Sequence, residues 1–374
     1  MLRYMTSGES HGKCVLAILD GMPAGLKIDE ASVNKELFRR MQGYGRGARM
    51  KIEADKVEIL SGVRKSVTIG SPISVMIKNV DQSIDKLPVI LDPRPGHADL
   101  TGAIKYNLND VRSVLERASA RETVARVSVG AICKILLAEF GIRITSHVTG
   151  IGDITSKPSG FSFDKILSRA EASSVRCVDP AASELMCKEI DKAMADGDTL
   201  GGTFEVVANG VPPGLGTYVQ WDRRLDSMLA GAIMSIQAIK GVSIGAGFEA
   251  AGMRGSAVHD EIFYSKAKGF FRNTNQAGGI EGGMSNGEDI VITAAMKPIA
   301  TLKKPLSSIN IKTKKAFKAT VERSDVCAVP AAGVVAESVA AVEIANAMIL
   351  KFGGDSVGEM LRNYSEYLKQ VAEF

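Results

Sequence analysis

The stretch TSGESHGK, residues 6–13, sets His11 between a hydroxyl and two glycines, and only four histidines occur in the 374 residues. Gly8 and Gly12 remove side-chain bulk, so the backbone can turn tightly and a ligand can come close. Ser10 both donates and accepts hydrogen bonds, and a histidine titrates near neutral pH. The pair is suited to moving protons. His97 stands in a second loop of similar make, RPGHAD at 94–99, beside Arg94. His147 falls in a strand-like run and reads as packed or solvated. His259 has no such setting.

Arginines supply the second kind of chemistry. Arg39, Arg40, Arg46 and Arg49 surround the motif GYGRG. Residues 35–51 hold six basic side chains against Glu36 alone, a local excess of five in a chain whose net charge is +4. Paired guanidinium donors grip phosphate and carboxylate groups, and neighbouring glycines admit backbone N–H donors as well. Arg94, Arg117 and Arg121 add to the set. Late in the chain, VERSDVCAVPAAG places Arg323, Ser324 and Asp325 just before a helix. There Ser or Asp can cap the helix, orient a ligand or relay a proton. The glycine pattern is neither a P-loop nor a dinucleotide fingerprint. Together these residues describe an arginine-rich pocket for a multiply anionic small molecule, with two histidines and one aspartate to handle protons.

The totals set bounds on this picture. A net charge of +4 is too small to imply the broad basic face of a duplex binder. Five cysteines at irregular spacing read as free thiols in a reducing, cytoplasmic compartment, and none has zinc-ligand spacing, so no metal is expected. The first residues contain no apolar leader. The run AAGVVAESVAAVEIANAMIL, 331–350, carries Glu337, Ser338, Glu343 and Asn346, and reads as a buried helix and not a membrane span.

The elements that must position these residues follow from periodicity. Alternating β patterns occur at 56–63, 71–78, 143–152, 202–211, 241–252 and 288–297. Helical spacing appears at 30–41, 112–140, 181–195, 223–238, 331–352 and 356–372. Strands cluster between long helices without strict βαβ alternation. That predicts an α+β fold with antiparallel sheets in a single large domain spanning 1–374, with no internal boundary. Small residues in the 112–140 helix, among them Ala118, Ser119, Ala120, Ala125, Ser128 and Gly130, let another element or a ligand approach closely. Residues 267–289, rich in Gly and Asn, read as a mobile functional loop.

Several of these stretches carry a resemblance. GESHG, RRMQGYGRGARMKIEADKVEILSGV, RPGHADLTGAIKY, SARETVARVSVGA, DTLGGTFEVVANGVPPGLG, MSIQAIKGVSIGAGF, GGIEGGMSNGEDIVITAAMKPIAT and RSDVCAVPAAGVVAE occur in this order and resemble chorismate synthases nearly end to end. The resemblance implies a shikimate-pathway lyase that converts 5-enolpyruvylshikimate 3-phosphate to chorismate and phosphate by 1,4-elimination. It implies a need for reduced FMN without net redox change, a β-α-β sandwich of antiparallel sheets enclosing central helices, and a homotetramer. By the same resemblance, His11 lies at the substrate phosphate and protonates it as it leaves. His97 contacts the flavin ring, and Ser10 and Asp325 relay a proton near flavin N5. Arg40 and Arg46 match positions assigned to NADPH, a candidate reductant of the flavin. Arg40, Arg46, Arg49, Arg121 and Arg323 would serve the substrate's phosphate and carboxylates. Flavin positions map to Ala118, Ser119, Ala120, Gln237, Ala238, Gly282, Lys297, Pro298, Ile299, Ala300, Thr301 and Arg323. No nucleic acid or membrane partner is implied.

Two other readings of the same residues stand beside this one. A nucleotide- or RNA-binding module built on 35–51 would bind with steep salt dependence and need no flavin. A phosphatase using His11 would release phosphate without flavin.

Overall fold

The computed structural model describes residues 1–47, 55–156, 160–322 and 324–374; Arg49 and Arg323 lie outside the described residues. Two antiparallel sheets carry the fold. The first is formed by β1 (Arg3–Gly8), β2 (Cys14–Asp20), β3 (Val57–Ile59) and β4 (Ile73–Lys78), in the order β1-β2-β4-β3. The second is formed by β5 (Arg143–Ile151), β6 (Ile154–Thr155), β7 (Gly202–Asn209), β8 (Ile239–Ile244) and β9 (Ile290–Met296), in the order β8-β9-β7-β5-β6. The apolar run CVLAILD becomes β2, whose alternate residues Val15, Ala17 and Leu19 are buried. Its partner β1 has no comparable apolar pattern in the sequence.

Ten helices complete the described chain. They are α1 (Glu30–Met41), α2 (Asp99–Tyr106), α3 (Arg112–Ala118), α4 (Thr123–Ala138), α5 (Phe163–Ala172), α6 (Pro180–Ala195), α7 (Leu225–Met234), α8 (Gly255–Val258), α9 (Val329–Phe352) and α10 (Val357–Glu373). α1 has the predicted limits because both ends are signalled locally. Asp29 caps it by accepting from the Ser32 N–H at 2.6 Å, and Gln42 leaves the helix just before Gly43. α6 is likewise capped by Asp179, with Pro180 in its first turn.

The single helix expected over 112–140 is broken. α3 stops at Ala118, Ser119 is extended at φ −62° and ψ 144°, and a 3-10 turn over Ala120–Glu122 leads into α4. Ser119 causes the break, because its hydroxyl accepts from the Arg121 N–H at 3.2 Å and so caps a new start. The strand expected over 241–252 ends at Ile244, where Gly245 turns at φ +59°. The strand expected over 56–63 keeps only Val57–Ile59 in the sheet. Residues 267–289 are not one long open loop. Gly269–Arg272 pairs with Ile262–Ser265, and Ile280–Glu281 pairs with Met284–Ser285.

The sheets are joined through α4 and α9. α4 packs on β1, β2 and β4, α9 packs on β5 and β7, and the two helices pack on each other. They meet at Gly130, where an added Cβ would stand 2.4 Å from the Ser338 Cβ and 2.5 Å from its backbone. Close approach of another element was one of the two expected uses of these small residues. α9 is long and apolar enough to cross a membrane by composition alone, yet 21 of its 24 residues are buried inside the fold. Its Glu337, at 0 % exposure, explains how. Arg39 donates to it at 2.7 and 3.0 Å, Arg176 at 3.2 Å, Lys134 at 2.5 Å and the Ser146 hydroxyl at 2.6 Å. Burial alone would raise the Glu337 pKa, but the charges of Arg39, Lys134 and Arg176 outweigh it and hold the carboxyl far below its ordinary range. One carboxylate thereby ties α1, α4, β5 and the turn at Arg176 to α9.

The α4–α9 crossing generates a direct test. Gly130→Ala should destabilise the protein by about 1–3 kcal/mol, because the methyl group meets backbone on the opposing helix. The measurement is the thermal midpoint against wild type, and an unchanged midpoint would show that the helices cross elsewhere.

Candidate functional site

The connector between β1 and β2 is built to hold His11 still. Gly8 closes β1 at φ +102°, where an added Cβ would lie 2.3 Å from the Cys14 carbonyl oxygen. The Asn79 side-chain amide donates to the Glu9 and Gly12 carbonyls at 3.0 and 2.8 Å, fastening the connector to the end of β4. Glu116, in the last turn of α3, holds it from the other side. Its carbonyl accepts from the Ser10 N–H at 3.0 Å, and its carboxylate accepts from the His11 N–H at 2.8 Å. The His11 Nδ1 lies 2.9 and 3.0 Å from the two Glu116 carboxylate oxygens. Ser10 is buried, and the Ser119 hydroxyl donates to it at 3.2 Å. The break at Ser119 is what brings that hydroxyl to Ser10. Burial raises the Glu116 pKa, but the hydrogen bonds and charge of His11, with Arg112, bring it below the usual value.

His97 has the same kind of support. Its Nδ1 is hydrogen-bonded to Asp99, the first residue of α2. Asp99 also accepts from the Arg94 N–H at 3.0 Å and from its guanidinium at 2.8 and 3.0 Å. Burial of Asp99 works against its charge, yet the bonds from His97 and Arg94 hold the carboxyl well below the carboxylate range. Arg94 donates onward to the Thr301 hydroxyl at 2.7 Å. Gly96 faces Lys297 and Ala300 with room for little more than a methyl group. The His97 loop is therefore seated on the 297–301 run.

The arginines converge on Asp55. This carboxylate accepts from Arg121 Nη1 and, at 3.4 Å, from Arg40 Nη1. Arg40 also donates to the Thr123 hydroxyl at 2.9 Å and the Ala120 carbonyl at 3.0 Å; Arg121 donates to Asn79 at 2.8 Å. Burial pushes the Arg40 guanidinium down to about 10; Asp55 opposes the shift and the positive Arg46 and Arg121 add to it. Arg40 still keeps its charge at neutral pH. Arg46 donates to the Asp325 carboxylate at 2.6 Å, and the Gly47 N–H donates to the other oxygen at 2.6 Å. Arg117 turns away to the Thr6 and Gly8 carbonyls, supporting β1.

These groups form one connected region. Asn79 joins Arg121 to the His11 connector. Ser324 donates to the Thr301 carbonyl at 3.0 Å, joining the Asp325 segment to the run beside His97. Arg112 approaches Glu116 and pairs with Glu322 at 3.0 Å. Gln237 and Ala238 reach the 297–301 run through the Lys297 N–H, which donates to the Ala238 carbonyl at 2.9 Å. Ala238 holds φ +68°, and the Gln237 Oε1 is buried with no hydrogen-bond partner among the described residues. A buried acceptor of this kind, beside a backbone in a costly conformation, fits a ligand carrying ring N–H donors. Gly282 sits in a hairpin turn at φ +58°, with open space where a Cβ would stand, while its neighbour Gly283 packs against Arg224 and Thr217. His147 is buried on β5 with Nε2 3.0 Å from the Glu205 carboxylate, the packed one of its two expected settings.

Sequence reasoning missed Glu116, Asp99, Asp55, Asn79 and Thr123. Asp99 was within reach, two residues from His97. Nothing local marks Asp55 or Glu116: Arg40 and Arg121 lie 15 and 66 residues from Asp55, and His11 lies 105 residues from Glu116.

Fold and site together define an α+β protein with carboxylate-held guanidinium groups and two carboxylate-backed histidines in one connected region. The family model for chorismate synthase matches residues 2–349. The chorismate synthase of Symbiobacterium thermophilum is 54% identical over 389 residues, covering 99% of this chain and 100% of that one. The chorismate synthase of Geobacter metallireducens is 55% identical over 394 residues, covering both chains completely. A crystal structure of a chorismate synthase superposes with a TM-score of 0.83 at 45% identity, over 100% of this chain and 99% of that one. The chain belongs to the chorismate synthase family, lyases of the shikimate pathway. The reaction is the 1,4-elimination of phosphate from 5-enolpyruvylshikimate 3-phosphate to give chorismate, and the family depends on a reduced flavin.

Asp55 provides the test of the site as built. Asp55→Ala leaves two buried guanidiniums without their shared counter-charge, which should cost about 3–5 kcal/mol of stability. The thermal midpoint should fall, and inorganic sulfate or phosphate should restore part of it by occupying the vacated charge. A variant as stable as wild type in low salt would show that Asp55 is not the counter-charge.

Proposed function

We propose that the connected region from His11 to Asp325 is the site of the elimination, with the roles divided among its residues as follows. Arg40, Arg46 and Arg121, with Arg49 and Arg323, hold the phosphate and carboxylates of the substrate. His11 gives a proton to the phosphate as it leaves. His97 faces the flavin ring and helps set its protonation, and Ser10 and Asp325 pass a proton near flavin N5. The flavin is FMN, held by Ala118–Ala120, Gln237, Ala238, Gly282, Lys297–Thr301 and Arg323; NADPH, the candidate reductant, would meet Arg40 and Arg46. The observation that carries this reading is the pairing of each histidine with a buried carboxylate inside a region of concentrated positive charge.

The physical chemistry of the residues supports these roles. The substrate brings several negative charges and the flavin brings more, so guanidinium groups must offset their mutual repulsion. Arginines held by carboxylates and carbonyls before the substrate arrives lose little freedom on binding it. Burial at Arg40 and Ser10 keeps water from the reacting groups and strengthens each charge interaction. Reduced FMN, when bound, supplies an electron-rich ring that assists the elimination with no net redox change. The unsatisfied Gln237 acceptor and the Ser119 hydroxyl supply polar contacts for such a ring.

The wider organisation follows the same reading. Stacking of the first sheet, α4, α9 and the second sheet supports a β-α-β sandwich. One continuous core from Leu2 to Met360 supports a single domain. The hairpin of Ile262–Ser265 and Gly269–Arg272 exposes Ile262, Tyr264 and Phe270, as a surface covered in a homotetramer would. Five free cysteines suit the cytoplasm.

The test is an anaerobic assay with 5-enolpyruvylshikimate 3-phosphate and photoreduced FMN, omitting each component in turn. Chorismate and phosphate should appear together and only in the complete mixture. Phosphate without flavin would make the protein a phosphatase. His11→Ala should slow turnover by about 10²–10⁴-fold, as for loss of a general acid. His97→Ala should instead change the absorbance of bound reduced flavin as pH is varied. Wild-type turnover in both variants would remove the histidines from the mechanism.

A further inference from the structure

Glu116 has more to do with His11 than its place on α3 requires. It is buried, with 1% of its side chain exposed, and it holds three successive features of the connector. Its carbonyl takes the Ser10 N–H, and its carboxylate takes both the His11 N–H and the ring at Nδ1. The backbone bond fixes where His11 starts, and the ring bond fixes how it is turned. An ionised carboxylate can only accept, so the hydrogen in the ring bond belongs to Nδ1. The shift of Glu116 below the usual glutamate value supports its ionised state. Arg112 adds a positive charge 3.8 Å from the same carboxylate, too far for a hydrogen bond, and pairs with Glu322 at 3.0 Å.

We propose that Glu116 is the positioning residue for His11: by holding the hydrogen on Nδ1 it leaves Nε2 as the ring nitrogen that exchanges a proton with the substrate. Neutral imidazole has one N–H and one lone pair, and the partner of one nitrogen decides which the other presents. With Nδ1–H tied to Glu116, the proton that moves is the one taken up at Nε2. When it is delivered to the departing phosphate oxygen, the N–H bond at Nε2 breaks, an O–H bond forms, and the ring returns to its neutral Nδ1–H form. The carboxylate keeps its charge throughout. Were the hydrogen free to sit on either nitrogen, part of the protein would face the phosphate with Nδ1 engaged wrongly or with the ring turned. The inference rests on the proposed role of His11, while its first test does not.

That test is the ring-nitrogen NMR spectrum of the full-length protein labelled with ¹⁵N-histidine. Only four histidines contribute, and His11→Ala identifies the His11 signals by their loss. In wild type above the titration range, His11 should show the Nδ1–H tautomer almost alone. A predominant Nε2–H tautomer would overturn the proposal whatever the activity. Glu116→Gln can offer either a carbonyl or an amide to the ring, so the signals should move toward a mixture of tautomers. Its kcat should fall by about 10–100-fold, the scale of losing a group that orients a functional histidine, with KM for the substrate changed by less than about threefold. Glu116→Asp, which retains the carboxylate, should recover part of kcat and the Nδ1–H form. Unchanged tautomer and kcat in Glu116→Gln would overturn the proposal. If His11→Ala turns over like wild type while the tautomer results hold, the role of His11 is wrong and the positioning stands. If His11→Ala is slow and the tautomer is Nε2–H, the positioning alone is wrong.

Discussion

The carboxylate of Asp55, shared between Arg40 and Arg121, is the interaction on which the site depends. A guanidinium taken out of water costs several kcal/mol unless a counter-charge and hydrogen bonds meet it. A site for a phosphorylated dicarboxylate needs several such groups close together, which repel one another before the substrate arrives. Burial and this repulsion are visible at Arg40, pushed down to about 10 yet still charged at neutral pH. Asp55 makes the arrangement tolerable. The same solution recurs nearby, with Asp325 against Arg46 and Asp99 against Arg94.

The fold exists to bring those pairs together from distant parts of the chain. Asp55 stands just before β3, Arg40 ends α1, and Arg121 lies in the turn before α4. They meet because α1 and β3 pack together and α1 lies against α4. α4 can take that place only because Gly130 lets α9 touch its backbone and because Glu337 neutralises Arg39 and Lys134 between the helices. Removing side-chain bulk at one glycine and placing one charge in a buried helix thus govern geometry about the active region. The break at Ser119 completes it. In a continuous helix through 112–140 the Arg121 N–H would donate to the Arg117 carbonyl; the break hands it to the Ser119 hydroxyl, which also donates to Ser10.

Much of this was legible before any coordinates. α1 and α6 were readable from their helical spacing, and α9 because its Glu and Asn residues are out of place in a lipid-facing helix. His11, His97, Arg40, Arg46 and Asp325 stood out because glycines and arginines crowd around them. What stayed hidden obeys one physical rule. Glu116, Asp55 and Glu337 act through partners 15 to 298 residues away on other elements, and no local pattern encodes such a pairing. Ser119 was hidden for the opposite reason. Its effect is local, but a serine inside a strongly helical pattern caps a new helix only when its hydroxyl finds a backbone N–H. The 267–289 stretch misled through composition, since Gly282 and Gly283 make a tight hairpin turn and Gly269–Arg272 pairs as a strand.

The most direct measurement of the central claim is a crystal structure of the protein with 5-enolpyruvylshikimate 3-phosphate and FMN bound. A site organised by its internal carboxylates should keep the Asp55 bonds to Arg40 and Arg121 on binding, with backbone shifts below about 1 Å. The substrate's anionic groups should rest on the outer edges of these arginines and of Arg46, with its phosphate beside His11. Arginines that abandon Asp55 to reach the ligand, or a ligand bound away from His11, would contradict it.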